Sequence, residues 1–500
     1  MKTLADYALA CGDLVVQYPF PADAIIRSVV NDSRQVSPGA LFIAIVGQKT
    51  DGRQFIADAV QRGAAAVLYQ GPALPDCGVP AIRVTSDYHA YGRIAEFHHN
   101  YPAAKVRLVG VTGTKGKTTV AFLLRHLLRR AGRKVGMIGT VEYDLGARTV
   151  PADRTTPTPL DLQEYFTVMA EAGIELAVLE VSSHALHQGR LGSARFDVGI
   201  FTNLSRDHLD YHLTMDHYFA AKKLLFSRYL WPDGVAVINA DDAWGRRLYE
   251  ELGADAKKGV WQGRLLPTGF APDAALRVVS NLMSMAGAEF SAKLAGDSFD
   301  VHSPLVGEFN VHNTLAAIAA ALYLGLPAEE VLAGLREFAG VPGRLQRVST
   351  DDQVHVFIDY AHTDDSLDKM LEAIKPHCRG KLVVVFGAGG DRDRGKRELM
   401  GKAAAKHADR LVVTSDNPRS EDPDRIIGDI RTGIPAGKAC VSIVDRRAAI
   451  RTAIAEAQPE DTIVVAGKGH EDYIEYAGGR KVHFSDFEES RAALAARRSR

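Results

Sequence analysis

The segment Gly110-Val111-Thr112-Gly113-Thr114-Lys115-Gly116-Lys117-Thr118-Thr119 carries the residue types that hold a phosphate. Gly113 and Gly116 would let the backbone approach an anion closely, and N–H groups at a following helix start would point at it. Lys117 can reach the β- and γ-phosphates of a nucleoside triphosphate such as ATP, and the Thr118 hydroxyl can hold Mg²⁺. The strict pattern GxxxxGK[ST] is not met, because Val111 stands where its first glycine belongs. Glu180 closes the apolar run Leu176-Ala177-Val178-Leu179 and is placed to bind Mg²⁺. Asn203, Arg206, Asp207 and His208 follow the next apolar run. A lone histidine in such a loop more often makes an ordinary hydrogen bond, but Glu180 and His208 past neighbouring strands read as a metal pair. Asp416-Asn417-Pro418-Arg419 offers a planar guanidinium fork for a carboxylate, on a turn that Pro418 stiffens. Taken alone, that tetrapeptide is a surface arginine in an Asn-Pro turn.

These residues need elements to place them. Val106–Gly110 reads as a buried strand, followed by the Gly/Thr/Lys loop and a helix to about Ala131. Further buried strands are expected at 134–138, 176–181, 198–201 and 235–238, with helical stretches between most of them. A second series follows Pro342-Gly343-Arg344, with strands at 354–358, 381–386, 410–414 and 462–465. Strand and helix alternating in this way predicts α/β folding with mostly parallel sheets covered on both faces. The chemistry-bearing segments lie just past the carboxyl ends of these strands, where open α/β sheets bind ligands. The first 86 residues hold shorter β-rich runs, such as Leu41–Val46, separated by turn signals.

Five hundred residues at roughly 150 per domain suggest about three domains. We read a small α/β N-terminal domain over 1–86, a central P-loop NTPase-like parallel sheet over 87–340 and a C-terminal Rossmann-like domain over 341–500. Sixty Lys plus Arg against sixty-one Asp plus Glu leave a net charge of −1, which argues against holding nucleic acid or membrane by charge. The longest apolar run, Leu315–Leu326, is short of the ~20 residues a bilayer crossing needs, so no membrane insertion is expected. The start, Met1-Lys2-Thr3-Leu4-Ala5-Asp6, lacks a secretory pattern, and the four scattered cysteines form neither a disulfide framework nor a zinc site. A cytoplasmic location is the expectation.

Gly110–Thr119, Glu180–His184, Thr202–Asp210, Gly307–Asn313 (GEFNVHN), Pro342-Gly343-Arg344 and Asp359-Tyr360-Ala361-His362 occur in the order found in the Mur ligases. The chain resembles that family of ATP-dependent amide-forming enzymes of peptidoglycan precursor synthesis, which serve cell-wall biogenesis, cell shape and division. Asp416–Arg419 narrows the resemblance to members that add meso-diaminopimelate to UDP-N-acetylmuramoyl-L-alanyl-D-glutamate. Asp32-Ser33-Arg34, Gly389–Arg397 (GGDRDRGKR) and Ala466–Tyr473 (AGKGHEDY) point the same way. It departs from the usual pattern at Asp364 and Glu398, where the family commonly has proline.

The resemblance implies a role for each matching position. Gly113, Thr114, Lys115, Gly116, Lys117, Thr118 and Thr119 would bind the ATP phosphates, with Arg344 near them. Asn310 and Asn313 would lie near the adenine and Asp359 on the ribose. Thr118, Glu180 and His208 would hold Mg²⁺. Ser33 would contact the uridine end of the nucleotide substrate, and Thr155, Thr156, Ser182, Gln188 and Arg190 the muramoyl-dipeptide. Arg397, Asp416, Asn417, Pro418, Arg419, Gly467 and Glu471 would form the amino-acid pocket. The family also uses a carbamoylated lysine (N6-carboxylysine) as a metal ligand. Alignment favours Lys222, whereas helical spacing leaves the two equal: Lys222 shares a face with Tyr218 and Leu225, and Lys223 with Phe219 and Phe226. Lys117, Lys222 and His208 are the implied catalytic set, in a monomer. Two other readings are a nucleotide-switch NTPase, which would not need the second Rossmann-like domain, and a sister ligase that adds L-lysine or glutamate.

Overall fold

The computed structural model describes residues 1–18, 24–47, 50–72, 77–348 and 353–499. The chain divides into two compact units, Met1–Pro267 and Thr268–Arg500.

The first unit begins with a five-stranded sheet of β1 (Val15–Gln17), β2 (Ser28–Val30), β3 (Ala40–Ala44), β4 (Ala64–Gln70) and β5 (Ala81–Val84), in the order β1-β5-β4-β3-β2. β3 is buried along its whole length, as an unbroken apolar run requires, and one core here gathers Tyr7, Leu41, Leu68 and Ile94. The parallel sheet that follows contains β6 (Arg107–Thr112), β7 (Val135–Ile138), β8 (Leu176–Glu180), β9 (Phe196–Phe201) and β10 (Leu230–Asn239). Their order is β7-β8-β6-β9-β10, all parallel. Helices α1 (Lys117–Arg130), α2 (Ser183–His187), α3 (Leu209–His212) and α4 (Met215–Ser227) connect these strands.

Two details of this sheet position the chemistry. Val111 is fully buried within β6 and pairs with both Glu180 and Ile200, so the phosphate loop opens only at Gly113. That is why a glycine is not needed at 111: the position is strand interior, where a β-branched residue packs well. Gly110, one residue earlier, does need to be small. A Cβ there would stand 2.9 Å from Leu225 on α4 and 2.9 Å from Phe196 on β9. Its absence lets α4 lie close against β6, with Leu225 and Phe226 in the same core as Leu108, Leu179 and Phe201.

The second unit opens with an antiparallel ribbon, β11 (Leu276–Ser284), β12 (Gly287–Leu294) and β13 (Asp297–Ser303), followed by α5 (Glu308–Tyr323). The apolar run from Leu315 lies largely within α5, whose interior is Ala-rich and buried. No described helix is long and apolar enough to cross a membrane. A Rossmann-like parallel sheet follows, with β14 (His355–Asp359), β15 (Leu382–Phe386), β16 (Arg410–Val413), β17 (Cys440–Ser442) and β18 (Thr462–Ala466) in the order β14-β18-β15-β16-β17. Helices α6 (Gly395–His407) and α7 (Arg446–Glu456) belong to this part, and a hairpin of β19 (Tyr473–Tyr476) and β20 (Arg480–His483) follows β18. All nine sequence-expected parallel strands are present, with ends shifted by a few residues at most except at β10, which starts five residues earlier. Asp364 and Glu398 both fall in the first turn of a helix, where a carboxylate is favourable as well as a proline.

Candidate active site

The phosphate loop spans Gly113–Gly116, between β6 and α1. Gly116 caps α1 in the left-handed region (φ 85°) with no side-chain acceptor on the first N–H groups of a 14-residue helix, which leaves those donors for an anion. Gly113 has φ 147°, and a Cβ on it would collide with the Thr202 hydroxyl. Asn203, just past β9, braces the loop: its carbonyl accepts from Thr114 N at 2.9 Å and its side-chain oxygen from Lys115 N at 3.0 Å. Lys117 Nζ donates to the Gly113 and Thr114 carbonyls at 2.9 and 2.8 Å, so the loop curls around its own lysine.

Glu180 is fully buried at the end of β8. Its carboxylate accepts from the Thr118 hydroxyl at 3.0 Å, the Thr140 hydroxyl at 3.0 Å and Thr140 N at 2.9 Å. Thr140 was not anticipated from sequence, although it follows β7, the sheet neighbour of β8, and so emerges at the same sheet edge. His208 stands just before α3 with φ 52°, exposed, its ring 5.9 Å from that of Tyr218. Lys222 Nζ lies over the same Tyr218 ring at 4.7 Å, and the Tyr218 hydroxyl hydrogen-bonds with that of Thr114 at 3.2 Å. No three His, Cys, Asp or Glu side chains among the described residues form a ready metal cage. The donor set here suits Mg²⁺ all the same, since Mg²⁺ is held by one or two protein oxygens with phosphates and water completing its shell.

The two lysines left equal by helical spacing are unlike in their surroundings. Lys222 is buried, at 1% exposure, and its Nζ donates to the Gly113 carbonyl at 2.8 Å. Burial, with the Lys117 charge adding to it, holds its pKa well below the ordinary 10.5. Lys223 instead reaches Glu251 at 2.8 Å in a surface ion pair.

The expected dipeptide residues form one network beside Glu180. The Thr156 hydroxyl donates to the Glu180 carbonyl at 2.8 Å and accepts from Ser182 N at 3.0 Å. Arg190 donates to the Thr156 carbonyl at 2.9 Å and to Gln188 Oε1 at 2.9 Å, while Gln188 Nε2 donates to the Tyr211 hydroxyl at 3.3 Å. The Thr155 hydroxyl pairs with that of Thr140 at 3.1 Å, which links it to the same carboxylate. Ser33 lies elsewhere in this unit, in a short turn after β2, and none of its described contacts reaches this network. Tyr211 and the histidines 184, 187 and 212 pack around the network, and burial lowers the His184 and His212 pKa values to about 4.

In the second unit, Asn310 and Asn313 share one face of α5, are both buried, and are joined at 3.0 Å. Asp359 ends β14, and its two oxygens accept from Leu345 N and Ala361 N at 2.8 Å each. Burial raises its pKa, against the opposing pull of Arg344. The Arg344 guanidinium lies 5.2 Å over the Tyr360 ring, with its Nε buried and unpartnered.

The expected amino-acid pocket gathers past β16 and β18. Lys468, fully buried, donates to Asn417 Oδ1 at 2.9 Å and to Glu471 at 3.3 Å, and stands 3.7 Å from Asp416. Asn417 Nδ2 donates to Glu471 at 3.0 Å. Gly467 has φ 116°, and a Cβ there would stand 2.5 Å from the Asp416 carboxylate. Arg446, also fully buried, pairs with Asp486 at 2.7 Å and donates to the Ser415 and Ala466 carbonyls, tying together the ends of the two strands that carry the pocket loops. Neither buried cation had been picked out from sequence. Arg397 is fully buried in contact with Glu421 and Asp429, at 2.8 and 2.9 Å, behind the loop that follows Pro418. Arg419 lies alongside, with Nη1 donating to the Gly390 carbonyl at 2.9 Å.

Comparison with known proteins gives this arrangement a family. Residues 111–321 match the Mur ligase middle domain, 343–469 the Mur ligase glutamate ligase domain, and 25–106 the Mur ligase family catalytic domain. A UDP-N-acetylmuramoyl-L-alanyl-D-glutamate--2,6-diaminopimelate ligase of Synechococcus elongatus is 46% identical over 485 residues, covering 95% of each chain. The protein of that name from Pseudomonas putida is 43% identical over 479 residues, covering 95% of this chain and 96% of its own. A solved structure of a ligase of the same name superposes with a TM-score of 0.67 at 36% identity, covering 95% of each chain. A MurF ligase of Thermotoga maritima shares the fold alone, at 18% identity, a TM-score of 0.57, and 95% and 98% coverage. The matches run along nearly the whole chain, which belongs to the Mur ligase family.

Proposed function

We infer that this chain is an ATP-dependent ligase that joins meso-diaminopimelate to UDP-N-acetylmuramoyl-L-alanyl-D-glutamate in peptidoglycan precursor synthesis, releasing ADP and phosphate. The observation that carries the reading is the buried Glu180 at the meeting point of phosphate loop and dipeptide network, bonded to Thr118 through its side chain and to Thr156 through its carbonyl.

Amide formation from a carboxylate needs a better leaving group than oxide. Transfer of the ATP γ-phosphoryl group to the D-glutamyl side carboxylate makes an acyl phosphate, which the diaminopimelate amine attacks before phosphate leaves. Phosphoryl transfer between anions asks for positioning and charge neutralisation. Lys115, Lys117 and the loop N–H groups supply both for the phosphates, and Arg344 is assigned to them on the family resemblance. Asn310, Asn313 and Asp359 are assigned to adenine and ribose, and Ser33 to the uridine end. Mg²⁺, held by Thr118, Glu180 and His208, would neutralise phosphate charge. Lys222 is the proposed carbamate. A buried amine held by a carbonyl and pushed toward its neutral form is the nucleophile that CO₂ addition requires, and the resulting carboxylate would add a metal ligand.

Arg397, Asp416, Asn417, Pro418, Arg419, Gly467 and Glu471 are proposed to hold the amino acid, with Arg419 facing its far carboxylate. We keep a three-domain division at 1–86, 87–340 and 341–500; the three separate family segments support the number of domains, while the first segment runs on to residue 106. We place the enzyme in the cytoplasm, where ATP and UDP-linked substrates are made. We propose that it acts as a monomer.

Phosphate release, measured with each component omitted in turn, tests this reading. It should require ATP, the UDP-linked dipeptide and meso-diaminopimelate together, whereas release from ATP alone at the full rate would mark a nucleotide switch instead.

A further inference from the structure

Arg419 is held in an unusual way. Its backbone is left-handed (φ 49°), a conformation that favours glycine and persists in arginine only when the surroundings impose it. What imposes it is residue 475, on β19 of the hairpin that follows the pocket loop. Arg419 N donates to the Glu475 carbonyl at 3.1 Å, and Glu475 N donates to Asn417 Oδ1 at 2.9 Å. The Glu475 carboxylate then accepts from Arg419 Nε at 2.8 Å. One residue thus grips the Asp416–Arg419 turn by backbone on both sides and by its side chain.

The distribution of those bonds over the guanidinium matters. Glu475 takes Nε, and the Gly390 carbonyl takes one Nη1 hydrogen at 2.9 Å. Gly389 leaves room for that group, since a Cβ there would stand 3.1 Å from Nη1. Nη2 has no bond to any described residue, so the end of the fork stays open to a carboxylate while its base is clamped. An arginine side chain otherwise has many rotamers, and fixing it beforehand removes the ordering cost from the binding step.

We propose that Glu475 is a positioning residue for amino-acid selection, acting through Arg419 by fixing the direction of its guanidinium. The inference rests on the reading of Arg419 as the group facing the far carboxylate of meso-diaminopimelate. The opposite role is a competitor that occupies Arg419 until substrate displaces it. It fits less well, because Glu475 takes only Nε and its main chain is bonded on both sides.

Steady-state kinetics of Glu475→Ala, Glu475→Gln and Arg419→Ala with meso-diaminopimelate and with L-lysine separate these roles. Glu475→Ala should raise KM for meso-diaminopimelate roughly three- to tenfold, the worth of one hydrogen bond, with kcat nearly unchanged. Preference over L-lysine should fall by the same factor, and Glu475→Gln, which still accepts from Nε, should restore most of it. If the alanine variant does not fold, Glu475→Asp carries the test, because its shorter arm cannot span to Nε and the same rise is expected. An Arg419→Ala enzyme with unchanged KM and selectivity would remove the underlying reading. If Arg419→Ala raises KM while Glu475→Ala leaves it unchanged, or lowers it as a competitor would, only the role given to Glu475 is overturned.

Discussion

Two lysines meet at one carbonyl. Lys117 and Lys222 both donate to the oxygen of Gly113, one from the start of α1 and one from the middle of α4. They are assigned different tasks, and their variants should fail differently. Lys117→Ala removes a cation from the developing phosphoryl charge and should cut kcat on the order of a hundredfold or more, with an unchanged circular dichroism spectrum. Near-wild-type turnover in a folded variant would remove the loop from the mechanism. Lys222→Ala should be almost inactive as well, but acetate or another short carboxylate should restore part of the activity by standing in for the proposed carbamate head. A ¹³C resonance of a carbamate, seen in wild type supplied with labelled bicarbonate and lost in Lys222→Ala but not in Lys223→Ala, is the direct check. At this scale helical spacing left Lys222 and Lys223 equal and only the family resemblance favoured Lys222, because adjacent helical positions differ only in which neighbour buries them. The packing permitted by Gly110 puts Lys222 inside.

Elements decide whether such residues stay in place. The loop after Pro418 is tied to α6 by Glu421, which accepts from both terminal nitrogens of the buried Arg397. Bonding to Arg397 is the chief cause that lowers the Glu421 pKa from 4.5 to about 2. A carboxyl with a depressed folded pKa stabilises the fold fully above its unfolded value and loses that contribution as pH falls toward the folded one. The melting-temperature gap between wild type and Glu421→Gln should therefore hold steady from neutral pH to about pH 5 and shrink toward about pH 3. A gap that stays constant over that range would mean Glu421 is not ionically coupled to Arg397. Strands were legible in sequence because buried parallel strands read as plain apolar runs. The braces between them were not: Arg446 with Asp486, Lys468 under Asn417 and Thr140 on Glu180 join residues whose partners lie about 40 to 51 positions away.

At the scale of the whole molecule, the order of motifs carried more than any one of them. GEFNVHN or Asp-Asn-Pro-Arg alone is a helix start or a turn, whereas the full succession fixes a family, and the paired α/β sheets then follow. Substrate choice is finer than the fold, since Mur ligases of similar architecture act on different substrates, and we propose that it rests on the end of one side chain. L-Lysine lacks the second carboxylate that Arg419 is proposed to face. A charge-assisted contact is worth ~1.5–3 kcal/mol, so losing it should cost roughly ten- to a few hundredfold in kcat/KM. The most direct measurement is a competition. Wild type and Arg419→Ala are each given ATP, Mg²⁺, the UDP-linked dipeptide and equal amounts of meso-diaminopimelate and L-lysine, and the products are weighed by mass spectrometry. The account predicts almost pure diaminopimelate product from wild type, and from Arg419→Ala a sharply reduced yield in which lysine product is a larger share. Wild type that joins lysine as readily as diaminopimelate, or a variant that keeps full selectivity, would contradict it.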